Sequence, residues 1–428
     1  MNFARANQSD SLFHSSWKIL SGKWIILILI VAFFSRLLFI GLYGDLQEDY
    51  YWEYGEIAKN LIEGNGYAFY SLDGEGRVLD RYSPGAEAIR SAYMPPGYVF
   101  FLVPYLMIDH PPLRNVLLLL THLLLSTATI WLLYRVTAKN FSEKTGLVAA
   151  AIGAILPEFL YANLSFTPTV LYHFLVLLLF LLIPEIRRGG WRIPIIGLLL
   201  AVLMYLRAEF VLFVLLFLSV LIFRKEVTRA LLIGGVAFAA ILPWTIRNYI
   251  AFDTFVPMTT GFGLNFYRGH NPDHIGSFGE REVAPALQGI EEKRFEIVMN
   301  KEYQRLALDY MREHPGEEIE NVFAKLFWFF SYIPFYPDSG NLLYLLPTIL
   351  LFFLSIYGVI LTFSWEKFWA FYLFFAALLI TIMIFFPIPR YQTMMKILQL
   401  PFAAHGLLTI WQNWQNKKRP GLTNNPGQ

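Results

Sequence analysis

The sequence predicts an all-α polytopic membrane protein, built as a bundle of about ten transmembrane helices with interfacial helices and large extracytoplasmic loops. Hydrophobic residues make up 56% of the 428 residues, and the mean hydropathy is +0.47, well above the range of soluble domains. Ten apolar runs approach or reach the length of roughly 20 residues that crosses a bilayer as a helix. The chain contains no cysteine, which excludes disulfides, thiolate metal sites and cysteine nucleophiles.

The predicted spans follow directly from these runs. The first, Trp24–Tyr43, has no small-residue cleavage site after it, so it predicts a retained helix and not a signal peptide. Several later runs are shorter than a perpendicular helix needs, and their boundaries are expected to vary by several residues. The further spans are predicted at Leu113–Tyr134, Gly146–Asn163, Pro168–Ile183, Ile193–Leu206, Glu209–Phe223, Ala230–Tyr249, Leu342–Phe363, Phe368–Phe386 and Tyr391–Trp411.

The distribution of Lys and Arg predicts the orientation, because these residues collect in loops that are not translocated. With ten spans, the basic clusters after the second, fourth and sixth spans fall on one side with both termini. We therefore expect a multi-pass inner membrane protein whose termini are cytoplasmic and whose active site faces the periplasm or cell exterior. The net charge of +2, without a basic stripe, argues against nucleic acid as a partner. The expected units are a tail at 1–23, a transmembrane module at 24–250 with an outer loop at 44–112, an extracytoplasmic loop and helical cap at 251–341, C-terminal transmembrane helices at 342–411 and a disordered tail at 412–428.

Three segments are predicted to be helices outside the spans. Tyr98–Ile108 and Val322–Phe335 are apolar but too short or too poorly placed to cross, so we interpret them as helices in or near the outer interface. Glu280–Arg312 is charged and helical in pattern, and it predicts a small cap over a cavity. Solvated helix and acceptor recognition are both compatible with that pattern.

An acidic stretch, QEDYYWEYGEIAKNLIEGNGYAFY at 47–70, follows the first span. Helical spacing would place Asp49, Glu53 and Glu56 on one face. Gly64-Asn65-Gly66 predicts the end of this helix, because glycine readily adopts the positive φ of a helix terminus. Two interpretations are open at this point: a solvated polar face capped by Glu48 or Asp49, or a catalytic carboxylate.

The order of several motifs resembles that of bacterial membrane glycosyltransferases of the GT-C fold, in particular glycosyltransferase family 39. That family includes protein mannosyltransferases and the lipid A aminoarabinose transferase, and the resemblance covers about 25–410. Thr167-Pro168 stands where many relatives have Thr-Glu or Ser-Glu, so the role of that glutamate is not transferred. The motifs are Asp49-Tyr50-Tyr51, the 57–67 stretch IAKNLIEGNGY, Pro95-Pro96-Gly97-Tyr98, Leu206-Arg207-Ala208-Glu209, the 243–249 stretch PWTIRNY, Gly269-His270-Asn271-Pro272 and Pro389-Arg390-Tyr391.

The resemblance implies a polyprenyl-phosphate sugar donor and a lipid, glycan or protein acceptor. Such a reaction needs a base for the acceptor hydroxyl and cations for the departing phosphate. We assign the base to Asp49, with Glu48 as the alternative, and direct attack by the hydroxyl would invert the anomeric carbon. Arg207, Arg247 and Arg390 are the candidates for the donor phosphate, because guanidinium groups bind phosphate oxygens in bidentate fashion. The alternatives are snorkelling arginines or an Arg207–Glu209 ion pair.

Five residues are candidates for acceptor or sugar contacts: Glu53, Tyr50, Tyr98, His270 and Asn271. No metal site is predicted, since no carboxylate accompanies His270 at ligand spacing, although a divalent cation remains possible as a cofactor. The competing functional class is a lipid-linked sugar flippase or other transporter, in which the acidic helix would be a gate. The lack of pseudo-symmetric halves favours a transferase.

Overall fold

The computed structural model describes residues 3–49, 51–72, 78–79, 87–272 and 294–418. Within these ranges the chain is a helical bundle with one small sheet at one end. The helices are α1 Phe3–Tyr43, α2 Trp52–Ile62, α3 Pro96–Leu106, α4 Pro111–Asn140, α5 Glu143–Ile155, α6 Pro157–Tyr161, α7 Thr169–Leu182, α8 Arg192–Leu206, α9 Val211–Phe223, α10 Val227–Phe252, α11 Phe262–Gly269, α12 Phe295–Glu313, α13 Pro315–Phe329, α14 Leu342–Thr362, α15 Trp365–Ile384 and α16 Pro389–Lys418, with 3-10 helices at Ile183–Arg188, Ala208–Phe210 and Pro337–Gly340.

The predicted all-α membrane bundle is confirmed, and each predicted span corresponds to a helix or, for α5 and α6, to a broken pair. α8 and α9 have only 15 and 13 residues, and α16 carries polar residues in its interior. Ten membrane crossings therefore stay a prediction. Among the described residues, six helices are long and apolar enough to cross by length and composition: Gly22–Tyr43, Pro111–Asn140, Thr169–Arg188, Val227–Phe252, Leu342–Thr362 and Trp365–Ile384.

Two helices extend beyond the boundaries that the sequence predicted. α1 begins at Phe3, so the predicted tail at 1–23 is largely helical. α16 continues to Lys418, so the first part of the predicted disordered tail is helical as well. A helix can continue beyond its apolar span because its backbone hydrogen bonds are local and do not depend on lipid. In the predicted cap, α12 confirms the helix from Phe295, whereas residues 280–293 and 419–428 lie outside the described part of the chain.

α16 runs through the centre of the bundle and carries a buried ion pair. Lys396 pairs with Glu158 of α6, and both side chains are only 2% exposed. Lys396 Nζ also donates to Thr348 Oγ1 at 2.7 Å and lies 4.6 Å from the ring centroid of Tyr344, both on α14. Because a buried charge is costly without partners, this set of contacts couples α6, α14 and α16. Close packing between α14 and α16 needs Gly358, where a Cβ would collide with the Phe402 carbonyl.

Arg36 in α1 is fully buried. Its Nε donates to Ser126 Oγ at 2.5 Å, and its terminal nitrogens donate to the carbonyls of Ala32, Gly153 and Ala154 at 2.9–3.3 Å. These neutral partners make Arg36 a hydrogen-bonded link between α1, α4 and α5. Among the described residues, Arg36 has no acidic partner.

The first outer loop contains a three-stranded antiparallel sheet that the sequence did not predict. Its order is β2-β1-β3, with β1 at Ala68–Leu72, β2 at Val78–Leu79 and β3 at Glu87–Arg90. Ser71 pairs with Leu79 on one side and with Ala88 on the other, and β1 carries an irregularity between Ala68 and Ser71. Four of the five β1 residues are buried, so the strand lacks the alternation of polar and apolar residues that indicates a half-exposed strand.

Glu296 of α12 joins the two outer loops. Its carboxylate is fully buried and accepts hydrogen bonds from Ser91 Oγ at 2.5 Å, Ala92 N at 2.8 Å and Thr260 Oγ1 at 2.6 Å. Burial disfavours the charged form and raises the pKa of Glu296 above its ordinary value, although the three hydrogen bonds oppose this shift. The cap helix is therefore attached to the first loop through a carboxylate that protonates more readily in the folded state.

Glu296→Gln is expected to change how stability depends on pH. Because the folded-state pKa of Glu296 is raised, its contribution to stability falls as pH rises from the unfolded to the folded pKa, and then levels off. The difference in melting temperature, wild type minus Glu296→Gln, should therefore fall as pH rises through that interval. Glu302→Gln on the same helix is the matched control, since Arg305 holds the pKa of Glu302 below its ordinary value and the trend should be opposite. Parallel pH profiles for all three proteins would contradict the assignment.

Candidate active site

Asp49 lies in the turn between α1 and α2, not on the helix where the sequence placed it. α2 begins only at Trp52, and Tyr51 occupies its N-cap position without a side-chain cap, so capping by Glu48 or Asp49 was wrong. The turn is sharp: Trp52 has a φ of 57°, and a Cβ at Gly55 would collide with Tyr51. This geometry prevents the helix from extending back to Asp49. The predicted end was correct, since α2 stops before Gly64 and Gly66, whose φ values are 85° and 79°.

The Asp49 carboxylate is held by two cations. Arg114 Nη2 contacts Oδ1, and Lys59 Nζ lies 3.2 Å from Oδ2. The Arg114 side chain is 9% exposed, whereas that of Asp49 is 65% exposed. A buried guanidinium group thus fixes the orientation of a carboxylate that remains open to an incoming group.

Behind this pair, a hydrogen-bond network fixes the backbone of the turn. Arg114 Nε donates to the Tyr51 hydroxyl at 2.7 Å, and that hydroxyl donates to Asn115 Oδ1 at 2.5 Å. Asn115 Nδ2 in turn donates to the carbonyls of Leu46 and Glu48 at 3.0 and 2.9 Å. Burial raises the pKa of Tyr51, which keeps its hydroxyl protonated. The network therefore positions the segment that carries both Glu48 and Asp49.

Sequence reasoning missed Arg114 and Asn115. They lie in the first turn of α4, an otherwise apolar helix that is among the candidate spans. A charged residue at the end of such a helix usually has a partner, and that was the available signal. It did not identify Asp49 as the partner, because the two residues are 65 positions apart.

Arg207 is buried at the end of α8 with part of its guanidinium group unpaired. Its Nη1 lies 3.9 Å from Glu209 Oε1, which supports the ion pair considered above only as a long contact. Its Nε and Nη2 have no hydrogen-bond partner within the described residues, and the side chain is 9% exposed. Buried N–H groups are rarely left unpaired in native proteins. Two N–H groups of Arg207 are thus left without a partner among the described residues.

α2 brings Arg207 close to a second arginine. Arg207 and Arg390 both act electrostatically on Tyr54, which is buried on α2 five positions after Asp49. Arg390 lies in the first turn of α16 and is exposed, and it forms no ion pair or hydrogen bond among the described residues. Both guanidinium groups are thus at the end of the bundle that carries the Asp49 turn.

Arg247, the third predicted phosphate ligand, has protein partners instead. Its terminal nitrogens donate to the carbonyls of Ser91 at 2.6 Å and Tyr67 at 3.0 Å. The guanidinium carbon also lies 5.0 Å from the ring centroid of Trp244 and 5.2 Å from that of Tyr67. These contacts hold the outer-loop sheet against α10. The placement favours a structural role, and phosphate binding by Arg247 stays an untested prediction.

Two of the described candidates for acceptor contacts, Tyr98 and His270, already have partners within the protein. Tyr98 is fully buried, and its hydroxyl lies 3.3 Å from His122 Nε2, so its placement does not support a sugar contact. Glu53 is half-buried in the first turn of α2, close to the Asp49 turn, and has no hydrogen bond among the described residues. Tyr50 lies outside the described residues.

His270 and Asn271 are buried at the end of α11. His270 Nδ1 lies 2.6 Å from Glu318 Oε2, and its Nε2 lies 2.9 Å from the Ile384 carbonyl and 3.3 Å from Lys325 Nζ. Asn271 Nδ2 donates to the carbonyls of Tyr267 and Arg268. Both residues are engaged in packing contacts, so an acceptor role for either stays a prediction. Across the described chain, no group of three His, Cys, Asp or Glu residues could hold a metal ion.

Comparison with known proteins identifies the fold. The profile of the family described as dolichyl-phosphate-mannose-protein mannosyltransferase matches residues 94–246. The structure is similar to crystal structures of the oligosaccharyltransferase from the archaeon Archaeoglobus fulgidus: the apo form superposes with a TM-score of 0.53 over 95% of this chain and 53% of that chain, at 12% identity. The chain has a GT-C fold. The predicted GT-C resemblance is therefore confirmed.

Two further structures of the same enzyme show a similar match to this GT-C chain. One is tethered to an acceptor peptide with the NVT sequon, with a TM-score of 0.53, 11% identity and coverage of 95% and 52% of the two chains. The other is in complex with an inhibitory peptide and a dolichol-phosphate, with a TM-score of 0.52, 12% identity and coverage of 95% and 53%. The chain thus spans about half the length of these oligosaccharyltransferase chains. No curated protein sequence matches it significantly.

Proposed function

We propose that this protein is a membrane glycosyltransferase that moves a sugar from a polyprenyl-phosphate donor to an acceptor hydroxyl at the extracytoplasmic membrane face, with inversion at the anomeric carbon. The observation that carries the proposal is the pair of unpaired donors on buried Arg207, at the end of the bundle that also holds the anchored, exposed Asp49 carboxylate. The family profile and the GT-C fold support the glycosyltransferase class.

In the proposed mechanism, the oxygen of the acceptor hydroxyl attacks the anomeric carbon, and Asp49 accepts the proton of that hydroxyl. The bond from that carbon to the donor phosphate breaks on the opposite face, and the phosphate leaves with the electron pair. Arg114 and Lys59 keep the carboxylate in one orientation, which lowers the entropic cost of reaching the reactive geometry. The phosphate leaves as an anion, so the reaction needs no general acid beside this base.

Arg207 and Arg390 would bind the phosphate. Arg207 supplies two N–H donors in a buried setting, where a charge-assisted hydrogen bond is strong. Arg390 is exposed at the start of α16, so it can meet a lipid-linked group that arrives from the membrane. Glu53, close to Asp49 and without a hydrogen bond among the described residues, is the candidate for a sugar or acceptor hydroxyl.

The acceptor is proposed by class only. The matched family acts on proteins according to its description, and one similar structure holds an acceptor peptide. A protein acceptor is therefore the first to test, with lipid and glycan acceptors as alternatives.

The test is a transfer assay with the purified full chain in detergent. Radiolabelled polyprenyl-phosphate monosaccharides are offered with membrane extracts as the source of acceptors, and pyrophosphate-linked oligosaccharides are offered in parallel. We expect label to move from a monophosphate donor to a membrane acceptor. If no donor is consumed while lipid-linked sugar crosses a vesicle membrane containing the protein, the protein is a transporter and the proposal is wrong.

A further inference from the structure

A cavity lined by polar residues lies at the opposite end of the bundle from Asp49. α4 connects the two ends: Arg114 and Asn115 are in its first turn, and the cavity lies beside its last residue. At 1.5 Å per residue, the 26 positions from Arg114 to Asn140 separate the two places by about 39 Å. The cavity has a volume of about 250 Å³, and its walls come from the turn between α4 and α5, the turn between α14 and α15, and the middle of α16. The proposed transfer reaction does not use it.

The chemistry of the cavity suits an anion. Lys367 and His405 line it, and they are close enough for the Lys367 charge to act on the imidazole. Lys367 Nζ lies 5.1 Å from the ring centroid of Phe368 and 6.0 Å from that of Phe141, and it forms no ion pair with any described residue. Within the described chain, no acidic side chain lines the cavity, although Glu143 and Glu366 lie next to it in sequence. A cation is therefore held at the mouth of a cavity without a protein carboxylate to neutralise it.

Hydroxyl groups and two helix starts reinforce this preference. Ser142 and Thr145 line the cavity, and Ser142 is the N-cap of α5. Ser364 caps α15, whose first turn contains Lys367. The positive ends of both helix dipoles thus act near Lys367, and helix N-termini favour anions. These contributions add to the side-chain cluster that lines the cavity.

The surroundings indicate that the anion belongs to a lipid. The cavity lies where the apolar helix α14 ends and the apolar helix α15 begins. Phe363 and Trp365 are beside it and are 70% and 46% exposed. Exposed aromatic residues at the ends of apolar helices are typical of the membrane interface. A headgroup in the cavity could therefore keep its acyl chains against the exposed side of α14, where Ile360 is 69% exposed. The volume is below the roughly 300 Å³ at which sites for drug-sized molecules begin, which fits a small headgroup.

We propose that this cavity binds the phosphate of an anionic phospholipid headgroup at the membrane surface opposite the Asp49 site. Lys367 provides the charge, Ser142 and Thr145 provide hydroxyl groups, and the aromatic rings form an apolar rim. This inference is independent of the proposed transfer reaction.

Native mass spectrometry of the full chain in detergent tests the proposal, with phosphatidylglycerol and phosphatidylcholine as probes. We expect wild type to retain phosphatidylglycerol selectively and Lys367→Gln to lose about fivefold in its affinity, the effect of one lysine near an anionic lipid. Lys367→Arg keeps the charge and should retain binding. Lys417→Gln is the matched control, because Lys417 is on α16 in its last turn, outside the cavity.

Several results would overturn the proposal. Equal binding of phosphatidylglycerol by Lys367→Gln and Lys417→Gln would show that the cavity does not select the lipid. Equal retention of phosphatidylglycerol and phosphatidylcholine by wild type would show the same. Displacement of phosphatidylglycerol by millimolar inorganic phosphate would assign the cavity to free phosphate and not to a headgroup. Melting temperatures of all variants establish that the comparison is made on folded protein, and the two wild-type measurements remain decisive if Lys367→Gln is unstable.

Discussion

Asp49→Asn is expected to lower sugar transfer by at least about 100-fold, because general-base catalysis typically contributes 100- to 10,000-fold. Asparagine has nearly the same shape, so it can still accept a hydrogen bond from Arg114, but it cannot take the proton of the acceptor hydroxyl. The measurement is the initial rate of label transfer by purified protein at saturating donor. Because Asp49 is largely exposed, the melting temperature should change little.

Two variants make this prediction specific. Glu56→Gln removes a carboxylate from α2, the helix that follows Asp49, at a half-buried position outside the Asp49 network, and should leave transfer within about twofold of wild type. Arg114→Gln removes the group that orients Asp49, and it should lower the rate less than Asp49→Asn does, because the base itself remains. Near-normal transfer by Asp49→Asn would remove Asp49 as the base, and Glu48 would then be tested in the same way.

Arg207→Gln is expected to lower kcat/KM for the lipid-linked donor by about 100- to 1,000-fold, the usual effect of removing one donor that stabilises a developing negative charge. Arg207→Lys should recover only part of this loss, since an ammonium group keeps the charge but cannot reproduce the fork of the guanidinium group. The measurement is the dependence of transfer rate on donor concentration, with acceptor in excess.

A control separates phosphate binding by Arg207 from a purely structural role of its side chain. Arg135 is on α4 near the opposite end of the bundle, where its guanidinium carbon lies 5.2 Å from the ring centroid of Trp131, and Arg135→Gln should not alter donor kinetics. If Arg207→Gln lowers the melting temperature but leaves kcat/KM for the donor unchanged, the arginine supports the fold and the phosphate site lies elsewhere. A loss of kcat/KM with unchanged melting temperature supports phosphate binding.

The sequence by itself predicted the helical membrane bundle. In a bilayer the backbone must satisfy its own hydrogen bonds, so each long apolar run has to become a helix, and its position can be found from composition alone. The end of α2 at Gly64 and Gly66 was also predicted, because positive φ is a local property of glycine. The GT-C resemblance likewise came from the order of local motifs.

The tertiary structure decided which side chains meet. Arg114 reaches Asp49, Glu318 reaches His270 and Glu296 reaches Ser91 across separations of 65, 48 and 205 positions, and no periodicity relates such residues. The same holds for Arg207, because only the folded chain decides that no described residue accepts from its Nε and Nη2 groups. Hydrogen bonds and burial at these sites depend on distances that only the folded chain sets, and these distances separate the candidate ligand Arg207 from the structural arginines Arg36 and Arg247.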